Sequence, residues 1–380
     1  MAKEKSRRRG DGSVYKRADG RYSGFITLED HKRKYFYGKT EREVERKIWV
    51  AQRELEQGKL ATGPQQTVKQ FLEYWLEDVR KPQLRPGSYQ LYRCIIHAHL
   101  IPALGHLKLQ KLTPQHIQKF YAEKQRTGAS PNRIRTMHNV LHKALEHARR
   151  LGLVGINASA GADLPRVDTP EGKTLTPEQA HRLIAAAKKE WMRTVLIVAL
   201  ATGMREGELL GLHWEDVHLD EGYLDVKWTL SYVATHGFVM GEPKTRSGRR
   251  TITLAPFVRE VLSKHRVAQE QERVKKGWKE DTGLVFPNTA GGFLSSSTLR
   301  ARFYSLLKRA GVPAMHFHEL RHSAATLLLS MGIPMKTVQA ILGHASYAIT
   351  ANIYGHVTRE MHEEAAHAME RFLRHDKLSE

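Results

Sequence analysis

Thr113-Pro114, Ser130-Pro131 and Thr176-Pro177 each put a hydroxyl residue directly before a proline. That order starts a helix: the hydroxyl caps free backbone N–H groups, and the proline supplies a helical φ with no N–H to leave unsatisfied. The middle of the chain is therefore committed to helices packed on helices. Apolar periodicity agrees between 66 and 157. Thr67 opens a helix carrying Phe71, Tyr74, Trp75 and Val79, and Pro86-Gly87-Ser88 precedes a second with Leu91, Ile95 and Leu100. Gly152 stops a fourth after Arg149-Arg150-Leu151. Four helices with short connections predict a compact bundle over 66–157.

Residues 1–60 read differently. Ser13-Val14-Tyr15-Lys16 and Tyr22 to Thr27 alternate as strands around the turn signal Ala18-Asp19-Gly20, and Lys34-Tyr35-Phe36-Tyr37 makes a third. Thr40-Glu41-Arg42-Glu43 is a capping box opening a helix with Val44, Ile48, Ala51 and Leu55 on one face. The expectation is a three-stranded sheet backed by one helix. Its open face would carry Tyr15, Arg17, Arg21, Lys32 and Arg33, a basic and aromatic surface of a size to enter a major groove. Simple solvation of a sheet edge is the other reading of these charges.

Beyond the bundle, Ala158 to Arg166 is rich in small residues and reads as a flexible linker within 158–173. The last block, 174–380, begins with the helix start at Thr176-Pro177 and continues through an apolar helix, Val195 to Ala201, that ends at Gly203. Gly222 to Val233, Gly237 to Glu242 and Arg250 to Leu254 alternate like strands. Thr358 to Arg374 reads as an amphipathic helix with Met361, Ala365, Met369, Phe372 and Leu373 on one side. The fold class is multidomain, mainly α with small β-sheets: an N-terminal sheet plus helix, a helical bundle, and an α+β body.

Lys and Arg outnumber Asp and Glu by 61 − 40 = 21, a balance suited to neutralising phosphates, though ribosomal and chromatin proteins share it. In the bundle, Arg93, Arg133 and Arg135 are candidate nucleic-acid contacts within a larger basic group, informative only together. Cys94 is the single cysteine. It lies in an apolar helical pattern that predicts burial, and one thiol makes neither an internal disulfide nor a cysteine zinc site. No run of about 18 apolar residues occurs, and the basic N-terminus lacks an apolar stretch after it. The expected setting is soluble, reducing and cytoplasmic, without membrane.

His318-Glu319-Leu320-Arg321-His322 and Leu342-Gly343-His344 precede Tyr354 in the final block. On a helix, His318 and Arg321 share a face, setting a bidentate phosphate binder beside a proton-transfer group. Upstream, Arg205 follows Thr202-Gly203-Met204, and Lys244 lies between two strand-like segments in Pro-Lys-Thr-Arg-Ser-Gly-Arg-Arg. These are the parts of a metal-free phosphoryl-transfer site. His318-Glu319-Leu320-Arg321-His322 also satisfies the H-E-x-x-H zinc pattern. That reading lacks the metzincin extension and leaves Arg205, Lys244 and Tyr354 unused, so no metal and no cofactor are expected. His138 and His142, also four apart, lack the intervening Glu and read as ordinary polar helix positions.

In order and local context, Arg205, Lys244, His318, Arg321, His344 and Tyr354 resemble the active site of the tyrosine recombinases, specifically phage or mobile-element integrases of the lambda type. Glu208 and Trp214 match residues that follow the first Arg. The resemblance implies that Tyr354 is the nucleophile and that a 3′-phosphotyrosine linkage forms during cutting and rejoining of double-stranded DNA. It implies an N-terminal domain binding arm-type sites, a bundle binding the core site, and a C-terminal segment docking on a neighbouring protomer. It also implies a homotetramer on two DNA sites, with an excisionase or DNA-bending host protein as an optional helper. Tyr347 is the rival nucleophile nearby. Two other functions fit parts of the pattern: a type IB topoisomerase, which would not need the N-terminal domain, and a non-catalytic DNA-binding regulator, which would leave the six residues unexplained.

Overall fold

The computed structural model describes residues 14–27, 33–56, 65–167, 173–188, 191–243 and 246–343. Lys32, Lys244, His344, Tyr347, Tyr354 and the helix expected over 358–374 lie outside the described residues. The chain divides into two compact units, Met1–Thr169 and Pro170–Glu380.

The first unit holds two separate cores. Strands β1 (Val14–Lys16), β2 (Tyr22–Thr27) and β3 (Arg33–Gly38) form an antiparallel sheet in sequence order, with Tyr15 opposite Ser23 and Ser23 opposite Tyr37. Helix α1 (Glu41–Glu56) is capped as its sequence demands, Thr40 Oγ1 accepting from Glu43 N at 3.3 Å. Val44, Ile48 and Ala51 bury against Ile26 of the sheet. Because side chains alternate across a strand, the opposite face presents Tyr15, Phe25, Tyr35 and Tyr37.

The bundle comprises α2 (Val68–Tyr74), α3 (Pro86–Ile95), α4 (Ile101–Leu104), α5 (Pro114–Arg126) and α6 (Pro131–Arg150). Trp75–Arg80 carries α2 onward, and Ile96–Leu100 joins α3 to α4, both as π-type turns, so the group reads as four rods. Thr67, Thr113 and Ser130 cap their helices through their side chains.

Two expectations are corrected by the bundle. Ala158–Gly161 is a short 3₁₀ turn, not a free linker: Ala158 and Ser159 are buried, and Asp163 N donates to Gln118 Oε1 at 2.8 Å. Small residues there permit close packing on α5 and α6 rather than flexibility. Cys94 is exposed: the apolar face of α3 falls on Ile95, and its neighbour points outward. His138 and His142 take polar positions on α6, His138 Nδ1 lying 2.8 Å from the Tyr121 hydroxyl and His142 Nδ1 3.0 Å from Ser159 Oγ.

The second unit packs α7 (Pro177–Ala186), α8 (Trp191–Thr202), α9 (Glu206–Leu210), α10 (Pro256–Lys276) and α11 (Ser296–Ala310) around one large core. β4 (Val217–His218), β5 (Tyr223–Val226) and β8 (Arg250–Thr253) make one antiparallel sheet, while β6 (Thr229–Val233) and β7 (Gly237–Gly241) make a hairpin. Lys244 thus falls between β7 and β8 in the chain. Helices α12 (Glu319–Ser330) and α13 (Met335–Leu342) bury Ala325, Leu329, Val338 and Leu342 between them. Among the described residues, no helix is long and apolar enough to cross a membrane.

Candidate active site

Arg205 owes its place to the end of α8. Thr202 Oγ1 donates back to Val198 O at 2.5 Å and accepts from Met204 N at 3.3 Å. Gly203 then turns the chain at φ +60°, where a Cβ would stand 2.4 Å from Leu342 Cδ2. Arg205 follows in extended conformation as the residue before α9. Glu208, one turn into α9, accepts from the Arg205 backbone N–H at 2.9 Å and from its guanidinium at 2.7 Å. The Arg205 side chain remains 39% exposed, whereas that of Glu208 is 2% exposed. One end of the guanidinium is anchored while the group still meets solvent.

Burial pushes the Glu208 carboxyl up, but Arg250 and then Arg205 outweigh it and hold the group below its ordinary 4.5. Arg250 Nη2 donates to Glu208 Oε2 at 3.1 Å, both side chains being buried.

Arg321 sits on the buried side of α12 at 3% exposure. Its Nη1 donates to Gly203 O at 2.7 Å and its Nη2 to Leu342 O at 2.6 Å. Those carbonyls lie at the C-terminal ends of α8 and α13, where helices leave oxygens unpaired and favour cations. The open fork expected from sequence is thus turned inward, binding the turn before Arg205 to the turn before His344. His318, immediately before α12, opens to solvent on one side. Crowding by protein around the rest of the ring, then His322, Arg321 and Arg205, hold its pKa below the ordinary 6.5, against Glu206. That direction favours the neutral ring, the form able to accept a proton.

The described residues therefore bring Arg205, His318 and Arg321 together from chain positions as much as 321 − 205 = 116 apart. Among the described residues, no group of His, Cys, Asp and Glu could hold a metal ion. Glu319 of the zinc-like pattern instead accepts from the backbone N–H groups of His316 and Lys173.

The other candidates lie in the first unit. Tyr15 is exposed on the open sheet face, Arg17 stacks over Tyr37 at 5.4 Å, and Arg33 over Phe25 at 4.5 Å. Arg21 lies at the turn with its guanidinium held by Asp19. Phe25, Tyr35 and Tyr37 belong to the same face and were missed by residue-by-residue reading; their common parity across the strand register was the signal. Arg93, Arg133 and Arg135 are exposed. Arg133 Nη2 reaches His99 Nε2 at 3.3 Å, and Arg135, two residues on, faces another side of α6.

Residues 173–361 match the phage integrase family, and 67–125 match the phage integrase N-terminal SAM-like domain. A XerC-like tyrosine recombinase from Caldanaerobacter subterraneus subsp. tengcongensis is 30% identical over 344 residues, covering 86% of this chain and 88% of that protein. The chain belongs to the phage integrase family of tyrosine recombinases. This recombinase is an enzyme that cuts and rejoins DNA at specific sites by the family's phosphotyrosine route. An integrase from Streptomyces ambofaciens is 32% identical over 330 residues, covering 83% of each protein. In fold, the recombinase resembles the Tn1549 transposon integrase solved with circular intermediate DNA, at TM-score 0.68 and 21% identity over 80% of this chain and 99% of that one. A lambda integrase tetramer bound to a Holliday junction aligns at TM-score 0.58 and 20% identity, over 92% of this chain and 96% of that one.

Proposed function

We propose that this recombinase integrates and excises a mobile element using Arg205, Lys244, His318, Arg321, His344 and Tyr354. The reading rests chiefly on the hydrogen bond from Arg321 to Gly203 O, which draws the two arginine segments into one site. Tyr354 attacks phosphorus in the scissile phosphodiester. A tyrosine hydroxyl ordinarily ionises near about 10, so neutral His318 takes its proton as the new P–O bond forms. Arg205, anchored by Glu208, meets the nonbridging oxygens directly, and the Arg321 cation behind it adds positive potential as negative charge grows. Lys244 protonates the departing 5′ oxygen, and His344 donates a hydrogen bond to the phosphate. The 3′-phosphotyrosine conserves the phosphoester, so a second strand's 5′-hydroxyl can reverse the reaction without ATP or metal.

Around that chemistry, residues 1–60 bind arm-type DNA through the open sheet face, the bundle grips the core site, and residues 174–380 carry catalysis. Arg17 and Arg33, stacked on aromatic rings, are preordered to meet phosphates, while Tyr15 and Tyr35 remain exposed beside them. Four protomers assemble on two DNA sites inside a bacterial cell, with an excisionase or bending protein setting direction. The test is strand transfer between two duplexes carrying the attachment sites, in EDTA. Recombinant product in chelator supports the reading. Loss of product that added Mg²⁺ restores, or plasmid relaxation with no transfer, overturns it.

A further inference from the structure

Arg250, the first residue of β8, has a side chain only 7% exposed and binds three separate segments of the catalytic unit. Its Nη2 donates to Glu208 Oε2 at 3.1 Å, its Nε to Ile341 O at 2.6 Å and its Nη1 to Gly248 O at 3.1 Å. Glu208 in turn holds the backbone and guanidinium of Arg205. Ile341 lies in the last turn of α13, three residues before His344, and Gly248 lies four residues after Lys244. One planar guanidinium therefore links the anchor of the first arginine, the launch point of the second histidine and the segment following the lysine.

Packing at Gly343 repeats the same junction independently. This glycine turns at φ +67°, and a Cβ there would stand 2.3 Å from Ser247 O and 2.9 Å from Arg250 Cδ. The turn into His344 is thus pressed against the stem of Arg250 and the backbone beside it. Neither contact would arise if Arg250 served only to neutralise Glu208, since the remaining donors reach carbonyls of two other segments.

We propose that Arg250 is a positioning residue for strand cleavage: without touching DNA, it sets the geometry of Arg205, and of the turn into His344, through Glu208 and Ile341. The proposal rests on the catalytic reading above. Lysine cannot replace it, because an ammonium is a compact charge that lacks the rigid fork needed to meet spaced acceptors in one plane.

The experiment uses the full-length protein and a nicked suicide duplex carrying the core site, with single-turnover cleavage at saturating protein. Arg250→Lys should slow cleavage by about 100-fold, the scale of a roughly 1 Å misplacement of a reacting group. Its Kd for the unnicked core duplex should stay within about twofold of wild type, and adding the change to Arg205→Ala should slow that variant by clearly less than about 100-fold, because the part of the effect carried through Arg205 is already lost and coupled residues are not additive. Cleavage by Arg250→Lys at the wild-type rate, or losses that multiply fully in the double variant, would overturn the proposal. Should Arg250→Lys unfold below the assay temperature, Glu208→Gln carries the same two criteria from the other end of the link. Failure of the catalytic reading has a separate signature, wild-type cleavage by Arg205→Ala.

Discussion

Gly343→Ala offers a perturbation whose size follows from the structure. Gly343 adopts φ +67°, a left-handed conformation costing an alanine about 1–2 kcal/mol. The new methyl would stand 2.3 Å from the Ser247 carbonyl oxygen, a backbone atom that cannot swing aside as a side-chain tip can. Restoring ordinary contact requires a movement of about 1 Å, and overpacking of that kind costs about 1–3 kcal/mol. The sum is about 2–5 kcal/mol, released either as lost stability or as displacement of the turn into His344. Gly311→Ala is the matched control, since Gly311 has φ +62° with nothing within 4 Å of its Cβ; it should lose only the conformational part, about 1–2 kcal/mol. Urea unfolding of the two variants, paired with suicide-substrate cleavage, separates the effects. Gly343→Ala should be the less stable or, if the turn yields, the slower to cleave by well over tenfold. Equal stability and equal cleavage in both variants would refute the packing of that turn against Ser247 and Arg250.

Arg205→Ala and Arg321→Ala should each slow cleavage by orders of magnitude, but Arg321→Ala should lower the melting temperature more, because it orphans the carbonyls of Gly203 and Leu342, whereas Arg205→Ala leaves Glu208 its second partner, Arg250; a larger melting loss in Arg205→Ala contradicts the inward placement. Acid should weaken the catalytic unit through Glu208: its carboxyl is depressed in the fold, so its contribution is present above the ordinary 4.5 and is lost as pH falls through the folded value. Glu208→Gln should flatten that limb of a stability–pH curve, and an unchanged limb would exclude the group. Deleting residues 1–60 should spare cleavage of a short core duplex yet impair recombination between full-length sites, and should shallow the salt dependence of binding by about 0.9 for each phosphate no longer neutralised; normal recombination with an unchanged slope would leave the sheet's charges merely solvated.

Helix starts were legible in the chain because caps are local: Thr67, Thr113, Ser130 and Thr176 each accept the N–H that their spacing implies. The end of α8 was legible for the same reason, as Gly203 turns the chain directly before the segment bearing Arg205. Burial of charge was not. Arg321 reads in the sequence as a phosphate-binding fork and Arg250 only as the start of a strand, and only the meeting of α8, α9, α13 and β8 shows that they bind carbonyls and a carboxylate inside the unit. Ala158 to Arg166 misled in the opposite direction, since small residues suit a close-packed turn as well as a loose one. Cys94 shows the limit of periodicity: a position inside an apolar run still points outward when its neighbours Ile95 and Ile96 take the buried side.

Tyr354 is the residue proposed to become covalently joined to DNA at the site that holds Arg205, His318 and Arg321. Incubation with a nicked suicide duplex in EDTA, followed by proteolysis and mass spectrometry of the trapped peptide, measures this directly. The expected result is a 3′-phosphonucleotide on Tyr354, absent from Tyr354→Phe although that variant binds the duplex as the wild type does. An adduct mapped to Tyr347, or one that persists in Tyr354→Phe, would contradict it.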